Sequence, residues 1–148
     1  MSLKEQLTTD MKEAMKSHDK DRLAVIRMVR GAIRQQEIDG QKELSDEDVI
    51  AVMSKEIKMR KDSIEEFKKG GREDLIAKTQ AEIDVLMPYM PAQLSEDEVR
   101  ELVKAAVAET GAATPKDMGK VMGALMPKVK GRADGKMVNQ LVRAVLVG

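Results

Sequence analysis

Leu86-Met87-Pro88-Tyr89-Met90-Pro91-Ala92-Gln93-Leu94 divides this chain. Two prolines three residues apart remove backbone donors and push the residues before them out of the α region. Elsewhere the apolar residues recur at helical spacing. The stretch holds neither Gly nor Ser, so it reads as a stiff joint rather than a floppy tether.

Upstream, the pattern predicts four helices. Ser2 with Glu5 forms a capping box, followed by Leu3, Leu7, Met11 and Met15, and the helix ends near Ser17-His18-Asp19. The second helix, about 21–38, carries the stripe Leu23, Ile26, Val29 and Ile33, with Gly40 marking its end. The third starts at Ser45, capped by that serine with Asp48 near its third position, and ends at Gly70-Gly71. The fourth, about 73–86, presents Leu75, Ile76, Ile83 and Leu86.

Downstream it predicts three. Ser95 and Glu98 cap the first, and Gly111 stops it. Thr114-Pro115 opens a short helix that Pro127 is expected to end near Met126. A loop through Gly135 leads to the last, about 136–146, with Val138, Leu141, Val142 and Val145 inward. No alternating strand pattern is present. The expectation is an all-α protein: an N-terminal helical bundle over 1–87, a Pro-containing joint over 88–94, and a three-helix domain over 95–148.

The 148 residues include 26 Lys+Arg and 26 Asp+Glu, so whole-chain charge points to no partner. One Phe, one Tyr and no Trp argue against RNA modules that stack bases on aromatic platforms. Twelve methionines suit irregular helix interfaces. Without cysteine there is no disulfide, thiolate nucleophile or Cys-based metal site, and no metal or cofactor is expected. No apolar run approaches the ~20 residues that span a bilayer, and no apolar leader precedes the first helix; a cytoplasmic protein is the expectation.

Neutrality hides an asymmetry. From Gly111 onward, seven cations face Asp117 and Asp134, a net +5 against −5 in the rest of the chain. Lys116, Lys120, Lys128, Lys130, Arg132 and Lys136 are the candidate nucleic-acid-binding residues. Four of them lie within 128–136, which runs into a helix N-terminus where free N–H groups favour an anion. The alternative is an ordinary charged loop, with Asp134 capping the last helix. Gly119 and Gly123 form G-x-x-x-G, read as tight packing against a neighbouring helix of the same lobe. Arg27, Arg30 and Arg34 share one face of the second helix with Glu37. That face is read as solvated and partly salt-bridged, with an anion-facing stripe as the alternative.

Catalytic signatures are missing. The single histidine, His18, falls at a turn; Gly131-x-x-x-Gly135-Lys136-Met137 has the wrong spacing for a phosphate loop and no Ser or Thr for magnesium.

Leu86-Met-Pro-Tyr-Met-Pro-Ala-Gln-Leu94, Lys116-Asp-Met-Gly-Lys-Val-Met122 and Gly131-Arg-Ala-Asp-Gly-Lys-Met-Val-Asn139 resemble the YqeY family. So do Arg22-Leu-x-x-Ile-Arg27, Arg60-Lys-x-Ser-x-Glu-x-Phe67 and Gly71-Arg-x-Asp-Leu75. The C-terminal part is similar to the tail domain of GatB, the B subunit of the glutamine-dependent aspartyl/glutamyl-tRNA amidotransferase, most firmly over about 116–146. The resemblance implies a helical bundle followed by a smaller helical domain. In the amidotransferase the helical and tail regions help to recognise tRNA, while a cradle domain and another subunit carry the catalysis. This chain has neither. Lys116, Lys120, Lys130, Arg132 and Lys136 match cationic positions of the tail motif; Asp117, Gly131, Asp134, Gly135 and Asn139 match its scaffold.

The function expected is therefore a non-catalytic tRNA-binding or tRNA-associated protein, with a possible protein partner in tRNA aminoacylation or amidation. The alternatives are a protein–protein adaptor docking an acidic partner and a carbon–nitrogen ligase with glutamine as amido donor.

Overall fold

A computed structural model describes residues 1–147; residue 148, the last of the expected tail domain, lies outside it. The protein is all-α. Among the described residues there are seven α-helices and two short 3-10 helices, with no strand. They are α1 (Leu3–Lys16), α2 (Lys20–Gly40), α3 (Asp46–Lys69), α4 (Glu73–Leu86), α5 (Glu96–Thr110), α6 (Met118–Val129) and α7 (Gly135–Val147). The 3-10 turns are Met87–Tyr89 and Pro115–Asp117. No helix among these residues is long and apolar enough to cross a membrane.

Ser2, Ser45 and Ser95 each accept the backbone N–H of the third helical residue, whose carboxylate takes the serine N–H in return. Two otherwise orphaned donors are satisfied at each start.

The chain divides into two compact units, Met1–Met90 and from Pro91 onward. The first unit buries Leu7, Ile26, Val29, Val49, Met53 and Leu86 among its core side chains. Arg60 on α3, 12% exposed, ties the helices together: Nη1 donates to Glu56 at 2.8 Å and Nε to Glu82 of α4 at 3.2 Å. The 3-10 turn after α4 belongs to this unit, since Met87, Tyr89 and Met90 pack on its core and the Tyr89 hydroxyl donates to Asp10 of α1.

The second unit has its own core, in which Val99, Val103, Val121, Leu125, Val138 and Val142 are fully or almost fully buried. Here α5 packs on both α6 and α7.

Two local expectations are corrected. Pro127 does not end its helix; α6 runs to Val129, and the Lys130 N–H still reaches the Met126 carbonyl at 2.9 Å. A proline within the last turn removes a single hydrogen bond while the rest of the turn closes around it. Gly40 is the last residue of α2, in keeping with its reading as the end of that helix, and the left-handed conformation that follows falls on Gln41, with φ 51°. Gly119 and Gly123 do not pack against a neighbouring helix. Both are exposed, and a Cβ at either would meet nothing within 4 Å.

Candidate nucleic-acid interface

The six candidate cations all belong to the second unit, at the two ends of α6. Lys116 lies in the 3-10 turn that opens α6 and Lys120 on its solvent side, away from Val121 and Leu125. Lys128, Lys130, Arg132 and Lys136 follow at its far end and along the connection into α7. From Lys120 to Lys130 the helix rises about 15 Å. The six are therefore two groups, not one cluster. Lys120 and Lys128 are also about 80° apart around the helix axis.

Their surroundings differ. The side chains of Lys116, Lys120 and Lys130 are exposed and make no hydrogen bond or close ion pair with a described residue, although the charge of Lys120 is felt at Asp117. Lys128 lies 3.8 Å from Glu109 of α5, both side chains well exposed. Such a pair contributes little stability. Lys136 is exposed in the first turn of α7, and its N–H donates to Asp134 Oδ1 at 3.0 Å.

Arg132 has a structural duty that the sequence did not reveal. Its Nε donates to the Ala92 carbonyl at 3.2 Å. Its own carbonyl accepts the Leu94 N–H at 2.8 Å. Gln93 adds a bond to the Gly131 carbonyl at 2.9 Å. The turn at 131–132 is thus pinned to the strap at 92–94, and Gly131 supplies the left-handed φ of 74° that the turn needs. The adjacency of Gln93 and Leu94 to the second proline was the only hint in the sequence.

Carboxylates of this unit are engaged in holding backbone. Asp117 accepts the N–H groups of Ala113 (2.9 Å) and Thr114 (3.3 Å), and these bonds keep its carboxyl below the usual range, with Lys120 helping. Glu98 is lowered likewise by the Ser95 cap, and Arg132 adds its charge. α5 brings five carboxylates and two cations into the unit, so residues 91–148 hold nine cations and seven carboxylates, a net +2 rather than the +5 counted from Gly111. The basic character is local to α6 and the α6–α7 connection.

A family model described as Yqey-like protein matches residues 4–146. The chain belongs to the YqeY family. Among curated relatives, it is 36% identical over 146 residues to "Altered inheritance of mitochondria protein 41, mitochondrial" of Pyrenophora tritici-repentis, a match covering 95% of this chain and 78% of that protein. The proteins of the same name from Lachancea thermotolerans and Saccharomyces cerevisiae are 37% and 36% identical over 113 and 112 residues, 74% and 71% of this chain. The matched region spans 60% of each of those two YqeY-family relatives.

These names overturn the cytoplasmic location expected from the sequence, since each relative is named a mitochondrial protein. The expectation rested on apolar patterning alone, whereas mitochondrial transit segments are amphipathic and Arg-rich, so that patterning does not separate cytoplasm from mitochondrion.

Proposed function

We propose that this YqeY-family protein is a non-catalytic tRNA-binding or tRNA-associated protein whose second unit meets the phosphate backbone. The observation that supports this is the set of exposed ammonium groups of Lys116, Lys120 and Lys130 at the two ends of α6, none of them in a close ion pair, although the charge of Lys120 reaches Asp117. Ammonium groups outside close ion pairs lose none when a phosphate approaches. Lacking aromatic platforms, the unit reads backbone and contour rather than bases. The similarity of the C-terminal segment to the amidotransferase tail points the same way.

Titration of the full chain with bulk tRNA and with duplex DNA at several salt concentrations tests this. Three phosphate contacts give a slope of log affinity on log salt of about −2 to −3. The Lys116→Ala, Lys120→Ala, Lys130→Ala triple variant should bind tRNA more weakly and with a flatter slope, its far-UV circular dichroism unchanged. Equal binding by the triple variant, or no preference for tRNA over DNA, refutes the proposal. Arg132 is left intact because its loss would disturb the strap at 92–94.

A second reading, an adaptor for an acidic protein partner, is favoured by the open Gly119–Gly123 face and the neighbouring Met126, 43% exposed. Capture of a partner that survives nuclease treatment and is lost in Gly123→Leu distinguishes it.

A further inference from the structure

Beyond the second unit, the first unit has a cavity of about 230 Å³ between α1 and α2. Lys4 comes from α1, and Arg27, Arg30 and Arg34 come from α2. Those three arginines fall at spacings of three and four, so they form one stripe along the helix. Two core side chains, Leu7 (0% exposed) and Ile33 (3%), give the cavity an apolar floor.

The positive charge here is largely uncompensated. Glu37 is the carboxylate in the lining, and its Oε2 is occupied by the Lys4 ammonium at 2.7 Å and the Leu44 N–H at 2.8 Å. The charge of Glu43 also reaches Lys4. The side chains of Arg27 and Arg34 make no hydrogen bond or close ion pair with a described residue, although Arg34 lies near enough to favour the ionised Glu37. Arg30, partly buried, donates Nη1 to the Met11 sulfur at 2.9 Å, a weak acceptor that leaves its charge unneutralised. Among the lining residues four cations face one carboxylate, a net +3 that Glu43, outside the lining, offsets only in part.

Gly31 is the second observation. It sits in the middle of the 21-residue α2, where alanine would be better by about 1 kcal/mol. No packing demands the glycine, because a Cβ there would meet nothing within 4 Å. Instead Gly31 lines the cavity between Arg27 and Arg34, and its missing side chain keeps that space open.

The size limits the occupant. Pockets for drug-sized ligands run from about 300 to 1,000 Å³, so this one suits a compact anion with at most a small attached group. Guanidinium groups match phosphate geometry through paired N–H donors. A tetrahedral phosphate offers enough oxygens for three arginines at once, whereas a carboxylate offers two. We propose that the α1–α2 cavity is a phosphoryl-binding site, taking inorganic phosphate or the phosphate of a small phosphate ester.

The test uses the full chain in low-salt, phosphate-free buffer, titrated with inorganic phosphate, ribose 5-phosphate and acetate. Binding is followed by calorimetry and by the arginine Nε–Hε resonances. Saturable binding of at least one phosphate probe is expected, with the resonances of Arg27, Arg30 and Arg34 shifting together. Gly31→Leu keeps every charge but fills the cavity, and should weaken binding at least tenfold; Arg34→Gln should do the same. Tighter binding of ribose 5-phosphate assigns the site to an ester; tighter or equal binding of inorganic phosphate assigns it to the free ion. Absence of saturation, equal affinity for acetate, or unchanged binding in Gly31→Leu overturns the proposal. Should Gly31→Leu fail to fold, unchanged binding in both Arg34→Gln and Arg27→Gln overturns it equally.

Discussion

The Tyr89 hydroxyl donates its hydrogen bond to Asp10, 79 residues earlier and only 8% exposed. Asp10 also accepts from Gln6 at 3.0 Å and lies 3.9 Å from Arg22. The turn that follows α4 is thereby fastened to the first helix of the chain. Burial, reinforced by the Asp10 carboxylate, pushes the Tyr89 phenol well above its ordinary value. The folded state thus holds the phenolic proton more tightly than the unfolded chain. Stability from this source is complete below pH 10 and is lost as pH climbs above it. Tyr89→Phe should cost about 1–2 kcal/mol at pH 7. Above pH 10, wild-type stability should fall relative to the variant by up to about 1.4 kcal/mol per pH unit. Urea unfolding followed by far-UV circular dichroism measures both; parallel alkaline limbs would contradict the assignment.

At the acid end the relevant carboxyl is Glu37. The Lys4 ammonium and then the Leu44 N–H hold it below its ordinary value, and Lys4 is raised in turn. The sign is opposite to that of Tyr89. The stabilisation is present above pH 4.5 and disappears as pH falls through the lowered value. Glu37→Gln should therefore melt at a lower temperature than wild type at pH 7, with the gap closing toward pH 3. A gap that stays constant across that range would show that Glu37 acts through packing alone.

Exposed glycines of α6 offer a test of opposite signs. Gly119→Ala and Gly123→Ala should each stabilise by about 0.5–1 kcal/mol, because the helix gains a better former and no neighbour is struck. Gly131→Ala should destabilise by about 1–2 kcal/mol, since φ 74° forces its Cβ against the following carbonyl. Thermal denaturation of the three variants decides. Destabilisation by the first two would restore the packing role that their spacing suggests.

Arg132→Ala should loosen the strap at 92–94 rather than unfold α6. The expected sign is faster amide exchange at Leu94, whose N–H bonds the Arg132 carbonyl, with a loss of about 0.5–1.5 kcal/mol overall. Unchanged exchange at Leu94 would mean the guanidinium contributes nothing to the turn.

Helix starts were plain in the sequence because serine and a carboxylate three residues on leave few alternatives, as at Ser2, Ser45 and Ser95. Helix ends were less plain. At Gln41 the Lys42 N–H reaches the Glu37 carbonyl and the Gln41 N–H the Ile38 carbonyl, a closure set by backbone bonds that the adjacent glycine disguises. Pro127 misled because the rule against interior proline is weakest within the final turn. The cations of α6 were visible as a charge excess, and the helix expected between Pro115 and Met126 already set Lys116 and Lys120 apart from the four within 128–136. The duty of Arg132 was not visible, because it depends on a strap about 40 residues away. The arginine stripe of α2 was visible too. What it faces depends on α1, and no one-dimensional period reports which side chains of a neighbouring helix leave a gap.

Tyr89, the single tyrosine in a chain without tryptophan, and Phe67, the single phenylalanine, both lie before Pro91. Every near-ultraviolet chromophore therefore belongs to the first unit, and the second is optically silent at those wavelengths. Tyrosine fluorescence will follow one half of this protein and miss the other. A denaturation curve recorded that way describes only the half that contains the α1–α2 cavity, and a probe placed on α6 by substitution is needed before the basic half becomes visible.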